Sequence, residues 1–388
     1  MVPRHVYVHV PFCARRCVYC DFAIAVRRTV PVSEFIEGIE REMDIRFGPG
    51  RGESERGDPA GGEPQPAVSG RIDTLYLGGG TPSKLGAPGI GRLIDAIRAR
   101  WPFTADPEIT IEANPEDVSP NAAATWREHG VTRVSLGVQS FDDGVLRWMH
   151  RTHDAAQAVR AAGSLREAGF EDWSMDLIFA LPPEVNRSWS ADLQRALELE
   201  PRHISCYGLT LEPHTPLLRW RERGHLHEAD EERYEAEFLE ADRVLGGAGF
   251  EHYEVSNYAR DGRRARHNSA YWRRVPYVGL GPSAHGFDGL VRTWNVRDYV
   301  AWRQAIGAGQ YPVAGREELT PESIALEEAY LGLRTSNGVR LSDSNRQDFG
   351  RWAREGWADV EQESARLTPA GWLRLDSLVS DLTNVRSR

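Results

Sequence analysis

Short β-branched runs alternate with longer amphipathic stretches from the first residues to about residue 260. Residues 6–10, 74–78, 108–112, 133–138, 174–180 and 203–209 have the length and composition of strands. Between them, apolar positions recur at helical spacing over residues 33–47, 90–101, 121–129, 155–169, 188–200 and 231–249. Acidic residues at 228–232 open the last of these with the charge that a helix N-terminus favours, and Gly130, Gly169 and Gly249 stand where C-terminal caps are expected. Strands alternating with helices predict right-handed βαβ crossovers and a parallel sheet. Six such units predict an α/β fold, an incomplete (β/α)6 barrel of TIM type, over residues 1–260. Residues 48–70, rich in Gly, Pro and Glu and without an apolar period, interrupt the rhythm and read as a mobile insertion. Past about residue 290 the alternation lapses. The expected division is therefore 1–260, an extension at 261–315, and a smaller, mostly helical or winged-helix-like domain at 316–388. In that last part residues 322–333 look helical, and 367–378 look like a turn between strand and helix.

Composition narrows the function classes. At 388 residues, 40% hydrophobic and 27% charged, the chain has room for one large domain and a smaller one. No apolar stretch approaches the roughly 20 residues of a membrane span. The N-terminal Met-Val-Pro-Arg-His enters a strand without the charged, apolar and small-residue order of a signal peptide. No integral membrane segment and a cytoplasmic location are the expectations. A net charge of −10 and a pI near 5.7 repel a nucleic-acid backbone. Asp343, Asp348, Glu355, Asp359, Glu361 and Glu363 argue against DNA as the partner of a winged helix. Lys84 is the only lysine, so arginine carries nearly all the positive charge and an arginine cluster is weak evidence of recognition. Of four cysteines, Cys13, Cys17 and Cys20 fall within eight residues and Cys206 stands apart. A disulfide framework would spread its cysteines over loops, so this is a reduced, metal-binding run.

The run follows the first strand directly, in a loop at its carboxyl end, where α/β active sites form. Three thiolates can hold three corners of a [4Fe–4S] cluster, whereas a full electron-transfer cluster takes a fourth; one iron is left for an external ligand. The alternative is a Cys₃His zinc site with His9 or His5 as the fourth ligand. Further polar stations fall at later strands. Gly78-Gly79-Gly80-Thr81 follows the second strand, where backbone without side chains permits close approach. Glu112 ends the third strand, Gln139 ends the fourth and Asp176 lies in the fifth, with Arg151 beyond the fourth. Singly, each reads more readily as a buried polar residue satisfied by backbone, the commoner fate, but polar stations on successive strands, near the ends that carry the cysteines, point together to a site.

Cys13-x₃-Cys17-x₂-Cys20, with Tyr19 before the last cysteine, resembles the motif of the radical S-adenosylmethionine (SAM) superfamily. That resemblance implies that the amino and carboxylate groups of SAM chelate the open iron. It also implies a SAM site of Tyr7, Tyr19, Phe22, Gly79, Gly80, Thr81, Glu112, Gln139, Arg151 and Asp176. Arg151 would pair with the SAM carboxylate, Glu112 with its amino group, and Gln139 and Asp176 with the ribose hydroxyls. His9-Val-Pro-Phe-Cys13, Tyr207-x-Leu-Thr-Leu-Glu212-Pro and Tyr253-Glu-Val-Ser-Asn257 resemble the branch that contains the oxygen-independent coproporphyrinogen III oxidases. Two departures bear on that activity: Phe22 stands where the oxidases end in Cys-x-Cys, and only 12 residues precede Cys13. Ala180 and Pro183 stand where relatives often carry Gly.

His267-Asn268-Ser-Ala-Tyr271-Trp272, followed by Gly279-Leu-Gly281-Pro-Ser-Ala-His285-Gly, resembles the heme-chaperone family of that branch. The resemblance implies heme held at His267, Tyr271 and Trp272, through an imidazole axial bond and aromatic stacking. Arg263, Arg264, Arg266, Arg273 and Arg274 are candidates for the propionates. It implies delivery of heme to acceptor proteins such as respiratory enzymes, with transient membrane docking and a homodimer as further expectations. The rival is an oxidase that cleaves SAM reductively and decarboxylates coproporphyrinogen III. A radical methyltransferase or cyclopropanase is a third reading.

Overall fold

β-Branched and aliphatic residues, buried on both faces, build the parallel strands that the alternation predicts. In the computed structural model, which describes residues 3–48, 70–343 and 345–384, six strands are each followed by helix. They are β1 (His5–Val10), β2 (Ile72–Gly79), β3 (Phe103–Ala113), β4 (Arg133–Gln139), β5 (Asp172–Phe179) and β6 (His203–Gly208). The helices are α1 (Val32–Phe47), α2 (Gly86–Arg100), α3 (Pro120–Glu128), α4 (Ala155–Glu167), α5 (Trp189–Glu198) and α6 (Glu231–Gly247). Polar caps fix the starts of four of them: Ser119, Asp154, Ser188 and Asp230 each accept a backbone N–H of the first turn. Asp154 and Gln157 complete a reciprocal capping box. Apart from its two end residues, the expected insertion at 48–70 lies outside the described residues.

The chain divides into two units. The first comprises residues 1–138, 146–173 and 276–318. Its sheet is parallel throughout, in the order Val278–Leu280, β1, β2, β3, β4. The short strand Val278–Leu280 pairs with β1 in the register Val6↔Val278. An antiparallel sheet of His285–Phe287, Val291–Asn295 and Val313–Glu318 follows, with the helix Tyr299–Gly307 inside that last connection. Trp302 of this helix covers α1 at Gly38, where an added Cβ would come within 2.5 Å of the indole.

The second unit comprises residues 139–145, 174–275 and 319–388. In it β5 and β6 run parallel, and the antiparallel pair Glu251–Glu254 and Asn257–Ala259 extends the sheet beside β6. The helix Arg266–Trp272 carries the His-Asn-x-x-Tyr-Trp motif. Beyond it, the helix Pro321–Leu333 precedes a three-stranded antiparallel sheet of Val339–Arg340, Ser364–Leu367 and Ala358–Val360. The helix Arg346–Arg354 lies within that sheet's sequence, and Pro369–Trp372 and Leu375–Asn384 follow it. Cys206 lies in β6.

Candidate functional site

The cysteine loop is closed by backbone pairing. Phe12–Cys13 pairs in parallel with Ala25–Val26, with Ala25 N–H donating to the Pro11 carbonyl at 2.7 Å and Arg27 N–H to the Cys13 carbonyl at 3.0 Å. Cys13, Cys17 and Cys20 therefore sit on one pinched loop at the carboxyl end of β1. The Cys13 thiol lies 3.3 Å from the Thr81 hydroxyl. Burial pushes the Cys13 and Cys20 thiols up, Cys20 to about 11, so bare thiolates are disfavoured there and a cation is needed to stabilise them. Among the described residues, no three His, Cys, Asp or Glu side chains converge on a single ion. His5 and His9, the fourth ligands of the zinc alternative, are engaged elsewhere. His5 Nδ1 is 2.9 Å from Thr74 Oγ1. His9 Nε2 is 2.9 Å from the Ala23 carbonyl, which can only accept, so Nε2 carries the proton and Nδ1 faces the Tyr7 hydroxyl at 3.1 Å.

Arg151 is aimed into this loop by two fixed acceptors. Its Nη2 donates to Asn114 Oδ1 at 2.7 Å and to the Gly137 carbonyl at 2.8 Å, while Nη1 lies 3.6 Å from the Cys17 sulfur. Its Nε is buried with no partner in the protein. Burial would lower the guanidinium, but Tyr19, Cys17 and Glu116 outweigh it and keep the charge in place. Tyr19 is half-buried, and burial with the neighbouring Cys17 raises its phenol. Phe22 is exposed.

Glu112 closes the other side. Tyr76 Oη–H donates to its Oε1 at 2.8 Å and Gly79 N–H to its Oε2 at 3.0 Å, and the Tyr7 ring stacks on Tyr76. The glycines are demanded by packing as well as by any ligand. A Cβ on Gly79, whose φ is +111°, would lie 2.7 Å from the His9 ring, and one on Gly80 would lie 2.8 Å from the Pro11 carbonyl carbon. The turn after them holds Lys84, whose ammonium is 2.7 Å from Asp117, beside Ser83 on the same carboxylate. Three thiols on one short loop, an arginine with one unused N–H and a carboxylate in a glycine-walled corner fit a [4Fe–4S] cluster with an amino-acid-like ligand. Gln139 and Asp176 belong to the second unit; Gln139 has φ +70°.

In the second unit the motif at 267–272 forms part of one short helix. His267 is 1% exposed, and its Nε2 is 2.8 Å from the Tyr271 hydroxyl, with the two rings edge to face. The Trp272 indole N–H is buried without a partner, and the Arg334 guanidinium lies 4.9 Å from the ring centre. Of the candidate propionate arginines, Arg264 pairs with Glu251, and Arg274 with Glu327 at 2.7 Å and Glu328 at 3.3 Å. Sequence reasoning passed over Arg334, and also Glu42, Arg187, Asp192 and Glu237, all of which make close polar contacts in the structure. The available signal was a carboxylate at a core position of the helical period, as Glu42 is among Phe35, Ile36, Ile39 and Met43.

Comparison with known proteins accords with this geometry. The radical SAM superfamily matches residues 65–196. The heme chaperone HemW of Synechocystis sp. is 35% identical over 350 residues, spanning 87% of this chain and 80% of that protein. HemW of Mycobacterium tuberculosis is 34% identical over 386 residues, spanning 98% and 95%. Among solved structures, Escherichia coli coproporphyrinogen III oxidase (HemN), described as a radical SAM enzyme, matches with a TM-score of 0.78 at 22% identity, over 98% of this chain and 90% of that one. At that identity the match shows a shared fold. Sequence identity at about a third of positions, along four-fifths or more of those two HemW proteins, places the family: the chain belongs to the HemW family of the radical SAM superfamily.

Proposed function

We propose that the protein is a heme chaperone, which binds heme, a [4Fe–4S] cluster and SAM and passes heme to heme-requiring acceptor proteins. The identity to HemW proteins along nearly the whole chain carries this reading. Cys13, Cys17 and Cys20 would hold the cluster, and the bound cluster with SAM would supply a redox-active iron site with one exchangeable position. The chain's own residues then do the rest. Arg151, held by Asn114 and Gly137, offers a fixed guanidinium to a carboxylate. Glu112, which accepts from Tyr76 and Gly79, would set its carboxylate charge opposite an ammonium group. The remaining SAM contacts would come from Tyr7, Tyr19, Phe22, Gly79, Gly80, Thr81, Gln139 and Asp176.

For heme, we assign His267 with Tyr271 and Trp272. Ligation of iron through Nε2 requires that nitrogen to exchange the Tyr271 hydroxyl for the metal, and a 1% exposed imidazole requires its cover to move. Phe22, standing where the oxidases carry their last cysteine, favours the chaperone over coproporphyrinogen oxidation. No described helix is long and apolar enough to cross a membrane. The clustered cysteines, read as a reduced metal-binding run, support a cytoplasmic location.

Reduced, cluster-loaded protein should be incubated with heme in one arm, and with SAM and coproporphyrinogen III in the other. Stoichiometric heme uptake, read as a Soret band, without formation of vinyl groups is the expected result. Turnover to protoporphyrinogen IX would replace the chaperone with the oxidase.

A further inference from the structure

Arg187 is wholly buried in the second unit, where its guanidinium bridges two carboxylates. Nη1 lies 3.4 Å from Asp192 Oδ2 and Nη2 lies 3.0 Å from Glu237 Oε2, with the guanidinium 4.7 Å from the centre of the Trp189 ring. Each carboxylate grips the backbone just past a strand. Asp192 accepts the Phe141 N–H on Oδ1 at 2.7 Å and the Ser140 hydroxyl on Oδ2 at 2.8 Å. Glu237 accepts the Ala180 N–H on Oε2 at 2.7 Å.

These grips fall on or beside two of the eight non-glycine residues with left-handed backbone among the described residues. Gln139, directly before Ser140, has φ +70°, and Ala180 has φ +54°. Such backbone is unfavourable for an alanine or a glutamine and persists where surrounding groups hold it. A buried arginine with an unpartnered Nε is likewise a poor way to fill a core, since apolar residues of similar volume usually stabilise as well or better. Both costs fall at the ends of β4 and β5, the strands that carry Gln139 and Asp176.

We infer that Arg187, Asp192 and Glu237 are positioning residues for SAM: bridged by one guanidinium, the two carboxylates fix the carboxyl ends of the strands that carry Gln139, at the end of β4, and Asp176, within β5. The inference rests on the SAM reading above, which gives those two side chains the ribose hydroxyls. It accounts for a feature that packing alone leaves unexplained, two strained turns of different sequence joined through one buried guanidinium, with Arg233 as a second partner of Glu237 at 3.0 Å. Glycine at 180 would adopt the turn without help, so alanine there makes the Glu237 grip necessary.

The test uses full-length, cluster-loaded protein titrated with SAM, followed by the electron-spin signal of the reduced cluster. Wild type is compared with Ser140→Ala, Glu237→Met and the double variant Glu237→Met/Ala180→Gly, with amide exchange at Phe141 and Ala180 measured on the same samples. Iron, sulfide and the SAM-free signal should not change in any of them, because the three cysteines lie in the other unit. The SAM concentration for half-response should rise roughly 10-fold in Glu237→Met, the scale on which outer-shell partners act. It should rise roughly threefold in Ser140→Ala, which loses one hydroxyl and keeps the fold. Ala180→Gly should restore at least half of the logarithmic loss in the double variant, which a general loss of stability would not do. Unchanged SAM midpoints in both single variants, with faster exchange at the gripped amides, would overturn the positioning role. A wild-type signal indifferent to SAM would overturn the SAM reading and this inference with it.

Discussion

Arg151 joins three stretches of chain by itself: the loop after β3 through Asn114, β4 through the Gly137 carbonyl, and the cysteine loop through Cys17. Its neighbour Glu116 keeps that arrangement charged. Burial would raise the Glu116 carboxyl, but the His153 imidazole 3.6 Å away, the hydrogen bond from Thr152 and the Arg151 charge hold it down at about 2 against an ordinary 4.5. A carboxyl depressed in the folded state contributes stability above its unfolded value and loses it as pH falls toward the folded one. Glu116 therefore stabilises fully above about pH 4.5, on the order of 2 kcal/mol, and progressively less down to about pH 2. Glu116→Gln should lower the urea midpoint at pH 7 and leave it nearly unchanged at pH 3; an equal deficit at both pH values would refute this. At this scale the cysteine run stood out in the sequence, because three cysteines at that spacing have few other uses, whereas the glycines and the polar strand residues each had an ordinary reading as a turn or a buried polar group. Glu116 and Asp192 did not stand out, since a carboxylate in a loop or helix reads as a solvated one until its partners, 36 and 52 residues away, are brought beside it.

Helix α1 shows what an element takes from distant sequence. Glu42, fully buried on its apolar face, accepts from Gly281 N–H at 2.8 Å, Asn295 Nδ2 at 2.8 Å and the Trp302 indole at 2.9 Å. Arg46, one turn on, reaches the Gly279 carbonyl. The segment after residue 276 is thereby fastened to the first helix, and Gly281, with φ +93°, passes so close to β1 that a Cβ would lie 2.6 Å from the His9 carbonyl oxygen. Glu42→Ala would strand three donors in an apolar setting, and we expect it to cost about 3 kcal/mol in denaturant unfolding. A loss below about 1 kcal/mol would show that water replaces the carboxylate. Six strands and six helices could be read from periodicity, since each carries its own alternation. The strand Val278–Leu280 could not: it is three residues long and includes a glycine, and it owes its existence to pairing with β1, some 270 residues earlier.

On the scale of the whole molecule, the three cysteines and the helix of His267 belong to different units. Cys17→Ser should leave the cluster incomplete, with iron and sulfide well below about four each per chain, yet retain heme uptake. His267→Ala should keep iron and sulfide and shift or abolish the Soret band. An unshifted band would remove His267 from the heme site and reduce its part to packing, worth about 1 kcal/mol. The two-unit division was not legible from sequence, because both units are assembled from separated stretches, and only spatial pairing brings residues 276–318 back to the N-terminal strands. Of 47 basic side chains Lys84 alone is a lysine, set just past the glycines and held by Asp117. Its backbone N–H is bonded to the carbonyl of Thr81, the residue whose hydroxyl meets the Cys13 thiol. An amine-acylating reagent thus has a single side-chain amine to modify besides the α-amino group, and a dye attached there would stand at the doorstep of the cysteine loop without mutagenesis.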